Sequence, residues 1–134
     1  MAASYEIRIY TVAGVLQTRI TDMLSLGYVK RVNEPGYVSF TLKRDHAAIA
    51  YLVDKAQVEV WRCNPAYSLD WYCDFYGLMR KQEVKGAPAN TFTATCLGQL
   101  HILDWRIVAW NKGYPNRSIF TSTPAETIMK TLVT

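Results

Sequence analysis

The stretch Pro35-Gly36-Tyr37-Val38-Ser39-Phe40-Thr41-Leu42 decides the fold class of this chain. It begins as a turn, because Pro presets φ and Gly can adopt a positive φ, and it continues as a strand in which apolar and polar residues alternate. A second stretch, Trp71-Tyr72-Cys73-Asp74-Phe75-Tyr76-Gly77-Leu78-Met79, reads as an aromatic strand with one glycine. Residues of these types favour the pleated surface of a sheet, so both stretches predict a β-rich protein.

The composition limits the class of protein further. The chain has 134 residues, of which half are hydrophobic and 19% are charged, and its net charge is +4. This length predicts one domain, residues 1–134. Charged residues fall below the usual share of about a quarter, which favours a subunit of an assembly. The basic residues occur as scattered pairs, which favours solvated strand ends over a nucleic-acid patch. We expect neither a secretory signal nor a membrane span.

Turn signals divide the rest of the chain into further strands. Tyr5–Val12 and Val15–Ile20, joined at Ala13-Gly14, predict a hairpin. Leu26–Val32 predicts a third strand. Thr91–Leu97 predicts a late strand with three apolar side chains inward: Phe92, Ala94 and Cys96.

Helix signals are fewer. They predict a short helix at His46–Val53 with Asp45 as its N-cap, a turn or two of helix from Leu100, and a helix to Val133 after the capping box Thr123-Pro124-Ala125-Glu126. The last helix has no stop signal, so we expect either that the chain is a fragment of a longer protein or that this helix docks on a partner.

Gln57–Cys63 and Trp71–Lys81 predict a long hairpin. Placing Arg62 opposite Asp74 would pair opposite charges across the strands, with Val60 opposite Tyr76 and Val58 opposite Leu78. The same register places Cys63 opposite Cys73. A cross-strand disulfide is then conceivable, but three cysteines without a CxxC spacing favour free thiols in a reducing compartment.

No residue pattern predicts a catalytic, cofactor-binding or metal site, and we expect a protein that is not an enzyme. A Cys–His nucleophile would need His46 or His101 beside a cysteine, and no local signature surrounds either histidine. Nothing forces the carboxylates Asp70, Asp74 and Glu83 to converge across a cleft.

The aromatic residues are the candidate site residues. We expect four of them to be interface or core anchors: Trp61, Tyr72, Trp105 and Trp110. The alternative is an aromatic-rich module that binds nucleic acid or carbohydrate by stacking on Trp61, Tyr72, Phe75 and Tyr76.

The order of these segments resembles the amino-terminal domain of the tail-hub (baseplate hub or tail-tip) proteins of long-tailed bacteriophages. The resemblance rests on Pro35–Leu42, Val58–Arg62, the aromatic-x-Gly-hydrophobic strand Phe75–Met79, the strand exit Gly98–Ile107, and the helix from Pro124. It covers nearly the whole chain, although hub proteins of this type are considerably longer.

The resemblance implies a mainly β (α+β) fold, an antiparallel split β-barrel with two or three short helices. It further implies a structural virion protein that forms a ring, suspected to be a trimer, which caps the tail tube and passes DNA without reading its sequence. The partners would be other tail proteins: the tube or distal-tail ring and fibres. The resemblance implies no cofactor, no sequence-specific nucleic acid and no membrane, with assembly in the host cytoplasm and a final place in the virion tail.

Overall fold

The computed structural model describes residues 2–105 and 124–133. Within them lie seven strands and one α-helix: β1 Ser4–Tyr10, β2 Leu16–Ile20, β3 Ser25–Val29, β4 Tyr37–Lys43, β5 Gln57–Asn64, β6 Leu69–Lys85, β7 Thr91–Gly98 and α1 Ala125–Val133. Three 3-10 helices lie at Ala47–Tyr51, Pro65–Tyr67 and Gln99–Trp105. The chain divides into two compact units, Met1–Gln99 and Leu100–Thr134, and the first contains all the described strands.

The strands form one antiparallel sheet in the order β2-β1-β5-β6-β7-β4-β3. This confirms the prediction of a mainly β fold. The sheet is open rather than closed into a barrel, because β2 pairs only with β1 and β3 pairs only with β4 among the described residues. A closed barrel would need a ladder of hydrogen bonds between β2 and β3. The open edges are therefore β2 and β3.

The sheet curls so that distant strands face each other. β1 and β3 are five places apart in the strand order. At about 4.8 Å per strand, a flat sheet would separate them by about 24 Å. The ring centroids of Tyr5 on β1 and Tyr28 on β3 are instead 6.4 Å apart. Curling thus gives the sheet a concave face, which side chains from both halves can fill.

One hydrophobic core fills this concave face. It confirms the inward positions predicted for β4 and β7. Its buried members come from six strands, from the first 3-10 helix and from the segment before β5: Ile7, Ile9, Ile20, Val38, Phe40, Leu42, Ala48, Leu52, Ala56, Val58, Val60, Phe75, Met79, Phe92, Ala94 and Cys96. Burial of this apolar surface is the main force that holds the curled sheet together.

Three glycines from separate parts of the chain lie close together beside the β6–β7 ladder. Gly77 of β6 lies opposite Gly98 of β7, and the amide of Gly98 donates to the carbonyl of Gly36 at 2.7 Å. A Cβ at Gly77 would lie 2.7 Å from the carbonyl oxygen of Leu97. The backbones can approach this closely because no side chain separates them. Gly36 does not use its freedom to adopt a positive φ; in that turn Asn33 has the positive φ, 65°.

The hairpin of β5 and β6 is confirmed, but its predicted register is wrong. Arg62 lies opposite Tyr72 and not Asp74. A bulge accounts for one residue of this difference, since Asp74 is the extra residue of β6 between the partners of two consecutive β5 residues, Val60 and Trp61. The other predicted pairs shift by one residue, so that Val60 lies opposite Phe75 and Val58 lies opposite Gly77. A bulge changes the register locally and cannot be inferred from charge pairing.

The helix predictions are confirmed in part. α1 begins at Ala125, directly after Pro124, and ends at Val133 as expected. The predicted helix at 46–53 is a 3-10 helix, Ala47–Tyr51, and its N-cap is His46 rather than Asp45. The His46 ring nitrogen Nδ1 accepts a hydrogen bond from the amide of Ala48 at 3.0 Å, which satisfies a free donor as a cap should. The capping residue predicted at 123 lies outside the described residues.

Candidate functional site

The face of the sheet opposite the core carries a polar and aromatic group that we name the Trp61 cluster. Its members are Glu6, Arg8, Glu59 and Trp61, which point away from the core because they alternate with the buried residues of β1 and β5. The Arg8 guanidinium carbon lies 3.8 Å from the centre of a Trp61 ring. Arg8 Nε donates to Glu6 Oε1 at 2.6 Å, and Trp61 Nε1 donates to Glu59 Oε2 at 2.7 Å.

Hydrogen bonds and partial burial hold the Trp61 cluster in place. The side chains of Arg8 and Glu6 are only 17% and 13% exposed. Burial alone would lower the pKa of Arg8, but its hydrogen bond to the Glu6 carboxylate raises that pKa above the ordinary value. At the edge of the Trp61 cluster, burial and the nearby Glu59 raise the pKa of Tyr10. The result is a firm surface with little conformational freedom left to lose on contact, which suits protein association.

A second group, which we name the Asp74 staple, ties β3 and the segment after it to β6. Asp74 Oδ1 accepts a hydrogen bond from Lys30 Nζ at 2.6 Å, and its other oxygen accepts one from the Tyr28 hydroxyl. Burial alone would raise the pKa of Asp74, but these hydrogen bonds hold it below its usual range. Burial and the Asp74 carboxylate raise the pKa of Tyr28. Asp74 therefore stabilises the curled sheet instead of pairing directly across from Arg62.

The Asp74 staple predicts a pH-dependent loss of stability. We expect Asp74→Asn to lower the free energy of unfolding by about 1 kcal/mol at pH 7, because a charge-assisted hydrogen bond is lost. The loss is no larger because Lys30 is largely exposed to solvent. Since folding lowers the pKa of Asp74, its contribution is present above the unfolded pKa of about 4 and disappears as pH falls through the folded value. Urea unfolding from pH 7 to pH 2 measures this.

The matched control for the staple is Asp70→Asn. Asp70 is exposed, and its carboxylate accepts a hydrogen bond from the adjacent amide of Trp71, which an asparagine side chain can also do. We expect almost no change at any pH. If the difference in the free energy of unfolding between wild type and Asp74→Asn stays constant down to pH 2, the charge of Asp74 does not have the role assigned to it.

The three cysteines and His46 contact separate partners. The thiol contacts are Cys63 with the Leu69 carbonyl, Cys73 with the Phe75 carbonyl and Cys96 with the Met79 sulfur. His46 contacts Asp22 and Ala48 instead. Burial raises the pKa of Cys73 and raises that of Cys96 to about 12, so neither thiol is activated as a nucleophile. Since the bulge places Cys73 opposite Trp61, the predicted position of Cys63 opposite Cys73 is wrong, whereas the expected free thiols are confirmed.

In residues 2–105 and 124–133, no group of three His, Cys, Asp or Glu side chains is placed to hold a metal ion. Over the same residues, no helix has both the length and the apolar character needed to cross a bilayer.

The structure describes the side chains of two of the four predicted anchor residues, Trp61 and Tyr72. Trp61 and Tyr72 are both partly exposed and lie outside the buried core. They face opposite sides of the sheet, because Trp61 lies opposite Cys73 whereas Tyr72 lies opposite Arg62. Trp105 is the last residue of the third 3-10 helix, and its side chain is not among those that the structure describes. Trp110 lies outside the described residues.

Sequence reasoning missed the partners of Trp61. The alternation in β1 does place Glu6 and Arg8 on its outer face. No local signal, however, shows that β1 pairs with β5, which brings Glu6 directly opposite Trp61. Only this pairing forms the cluster.

Comparison with known proteins gives the family. The sequence profile of the family described as "Siphovirus ReqiPepy6 Gp37-like protein" matches residues 6–134. The chain belongs to this family. This Gp37-like assignment supports the broad expectation of a phage virion protein. A search of curated proteins gave no significant match.

The fold of the Gp37-like chain also has a counterpart among solved structures. It is similar to a chain from a structure described as "Virion of native gene transfer agent (GTA) particle", with a TM-score of 0.61 and 17% sequence identity. The similarity covers 81% of this chain and 45% of that chain. At this level of identity, the likeness concerns the fold. The matched part of the Gp37-like chain spans less than half the length of that chain.

Proposed function

We propose that this protein is a structural component of a phage tail tip or baseplate hub, where it forms a ring that caps the tail tube and contacts neighbouring tail proteins. The observation that carries the proposal is the match to a siphovirus protein family over residues 6–134. The fold likeness to a chain of a gene transfer agent virion supports it. The trimeric ring, the passage of DNA and the contacts with tube, distal-tail ring or fibres belong to the same proposal, as does assembly in the host cytoplasm.

The proposal includes a place in a longer protein. Residues 1–134 would act as the single amino-terminal domain of a hub protein, with other parts following in the chain. This agrees with the comparison with the gene transfer agent chain, because the similar region makes up only 45% of that chain.

The geometry supports a structural role over a stacking module. A base or sugar stacks on the free face of an aromatic ring. The guanidinium of Arg8 lies 3.8 Å from the Trp61 ring centre, and the indole N–H donates to Glu59. One face of Trp61 and its single polar atom are therefore occupied within the chain, which favours the use of Trp61 in a protein contact.

Particle mass is the test of the proposal. We expect sedimentation of the full chain at increasing concentration, alone and with a phage tail-tube protein, to show a closed oligomer of fixed size. A chain that stays strictly monomeric at high concentration in both mixtures overturns the proposal. Sub-micromolar, salt-sensitive binding to single-stranded nucleic acid favours the stacking module instead.

We place the Trp61 cluster in one of these contacts. We expect Trp61→Ala to weaken association by about thirtyfold, the effect of losing about 2 kcal/mol at a central interface tryptophan. The control is Trp71→Ala, because Trp71 is 39% exposed on β6 and has no part in the cluster. If both variants keep a native circular dichroism spectrum and associate with equal constants, Trp61 does not lie in the interface.

A further inference from the structure

Arg62 lies in the middle of a row of three side chains on the concave face of the sheet. Tyr5 of β1 lies opposite Arg62 of β5, and Arg62 lies opposite Tyr72 of β6. Residues directly opposite each other point to the same side of a sheet, and this side also carries the buried Val60, two residues before Arg62. We name these three residues, Tyr5, Arg62 and Tyr72, the Arg62 row. All three are partly exposed, so a ligand from outside can reach them.

The Arg62 guanidinium has hydrogen-bonding capacity that the described residues do not use. Its Nε is buried and has no hydrogen-bond partner there. Asp74, whose charge acts on Arg62, accepts its hydrogen bonds from Lys30 and Tyr28 instead. A buried N–H without an acceptor is unfavourable and uncommon in native proteins. The Arg62 guanidinium is therefore available to an acceptor from outside this part of the chain.

The two tyrosines of the Arg62 row add further donors. The Arg62 guanidinium carbon lies 5.8 Å from the centre of the Tyr5 ring, a cation–π contact that holds the side chain but gives its N–H groups no acceptor oxygen. Among the described residues, the hydroxyls of Tyr5 and Tyr72 form no hydrogen bond, and each has one proton to donate. The row thus presents a fork of N–H groups together with two hydroxyl donors.

The charges around the Arg62 row favour a ligand with a single negative charge. Tyr5 is the main cause that raises the pKa of Arg62 above its ordinary value, and with the other nearby tyrosines and Asp74 it outweighs burial. Lys30 and Asp74 form an ion pair at 2.6 Å, so their charges offset each other and the charge of Arg62 remains. The guanidinium fork matches both oxygens of a carboxylate. A phosphate carries about two negative charges, and Asp74 would repel it more strongly.

We infer that the Arg62 row is a binding site for a carboxylate group. The fork of Arg62 would bind the carboxylate oxygens, and the tyrosine hydroxyls would donate to the same group. An aspartate or glutamate side chain of another protein chain could supply the carboxylate, as could a free organic acid. The inference rests on the row itself and goes beyond the proposed function, which is tested separately by particle mass.

Nuclear magnetic resonance of arginine side chains tests the inference on the full chain. The probe is glutamate capped at both ends by acetyl and amide groups, compared with glutamine capped in the same way, which has the same shape and no charge. We expect capped glutamate to shift the Nε–H signal of Arg62 until the site is saturated, and to bind at least tenfold more tightly than capped glutamine. Inorganic phosphate at equal ionic strength should bind at least threefold more weakly than capped glutamate. Absence of a shift, equal binding of the two capped residues, or tighter binding of phosphate overturns the inference.

Two pairs of variants locate the binding, followed by the signals of backbone amides in β5. Arg62→Lys keeps the charge but loses the fork, so it should weaken binding of capped glutamate about tenfold. Its control is Arg44→Lys, at an exposed arginine just after β4, which should leave binding unchanged. Tyr72→Phe should weaken binding about threefold, whereas Tyr67→Phe, at a residue that is 76% exposed, should not. Unchanged binding in Arg62→Lys contradicts the site.

Stability distinguishes a binding site from a purely structural role of Arg62. Arg62→Met removes the unpartnered donor and keeps a long side chain, so the urea midpoint of unfolding should stay unchanged or rise while carboxylate binding is lost. Arg8→Met is the comparison, because it removes a guanidinium that donates to Glu6, and it should lower the midpoint. If Arg62→Met lowers the midpoint as much as Arg8→Met does, Arg62 has a structural role and the inference is wrong.

Two further measurements identify the source of the carboxylate. If capped glutamate binds at least threefold more tightly than acetate, its peptide groups add contacts, which indicates a side chain of another protein. Equal binding of the two indicates a free organic acid. A shift of the Arg62 signal with protein concentration alone indicates a carboxylate of a second copy. Each of these results supports the site, whereas failure of every carboxylate probe overturns it and leaves the proposed virion role intact.

Discussion

Phe40→Ala is expected to lower the free energy of unfolding by about 3–5 kcal/mol, the usual range for truncating a buried phenylalanine. Phe40 has no exposed surface and lies in β4 between two other fully buried residues, Val38 and Leu42. The cavity left by its ring cannot collapse easily, because β4 is paired on both sides, with β3 and with β7. Total stabilities of small domains are about 5–15 kcal/mol. The variant therefore loses a large part of its stability.

Urea unfolding followed by circular dichroism measures this effect, with Tyr37→Ala as the control. Tyr37 is in the same strand but is 38% exposed, and it contacts the Arg31 guanidinium at 5.6 Å from its ring centre. Its truncation should lower the free energy of unfolding by about 1 kcal/mol. Similar losses in both variants would mean that Phe40 is not at the centre of the core.

Gly77→Ala is expected to lower the free energy of unfolding by about 2–3 kcal/mol. The added Cβ would lie 2.7 Å from the Leu97 carbonyl oxygen and 2.8 Å from a ring carbon of Phe75. The carbonyl belongs to β7, which is paired with β4 and with β6, so it cannot move without disturbing these ladders. Overpacking of this kind typically costs about 1–3 kcal/mol, and a contact with fixed backbone lies at the upper end.

Gly27→Ala is the matched control for Gly77→Ala. Both glycines lie in strands, but a Cβ at Gly27 has nothing within 4 Å. Alanine there should raise the free energy of unfolding by about 0.5 kcal/mol, because it restricts the unfolded chain without straining the native strand. The two variants are compared in the same urea titration. If Gly27→Ala lowers the free energy of unfolding as much as Gly77→Ala does, strands of this protein need glycine in general. That result would contradict the role assigned to the close contacts at Gly77.

Sequence patterns predicted most of the strands because each pattern reflects a local physical requirement. The alternation of Val38, Phe40 and Leu42 arises because one face of a half-buried strand meets the core. The first hairpin was predicted from Ala13-Gly14, and Gly14 indeed adopts a positive φ of 89°. The start of α1 followed from Pro124, which suits the first turn of a helix. These signals act within a few residues of the chain.

The wrong predictions, the register of β5 and β6 and the N-cap of the first 3-10 helix, concern contacts between residues that are distant in sequence. The register of β5 and β6 was wrong because opposite charges at Arg62 and Asp74 suggested a pair, whereas Lys30 and Tyr28, distant in sequence, form the hydrogen bonds to Asp74. The N-cap at 46 was missed because histidine caps a helix only when its ring is held in position. Here the other ring nitrogen of His46 contacts Asp22 at 2.9 Å.

The sequence by itself determined the β class, the positions of the strands and the inward face of β4 and β7, because burial and turn geometry leave marks on neighbouring residues. Only the tertiary structure decided the strand order, the open and curled sheet, the close approach of Gly36, Gly77 and Gly98, and the Trp61 cluster. Each of these depends on pairing between residues far apart in the chain. The free energy of such a pairing comes from packing and hydrogen bonds that form only when the whole sheet has assembled.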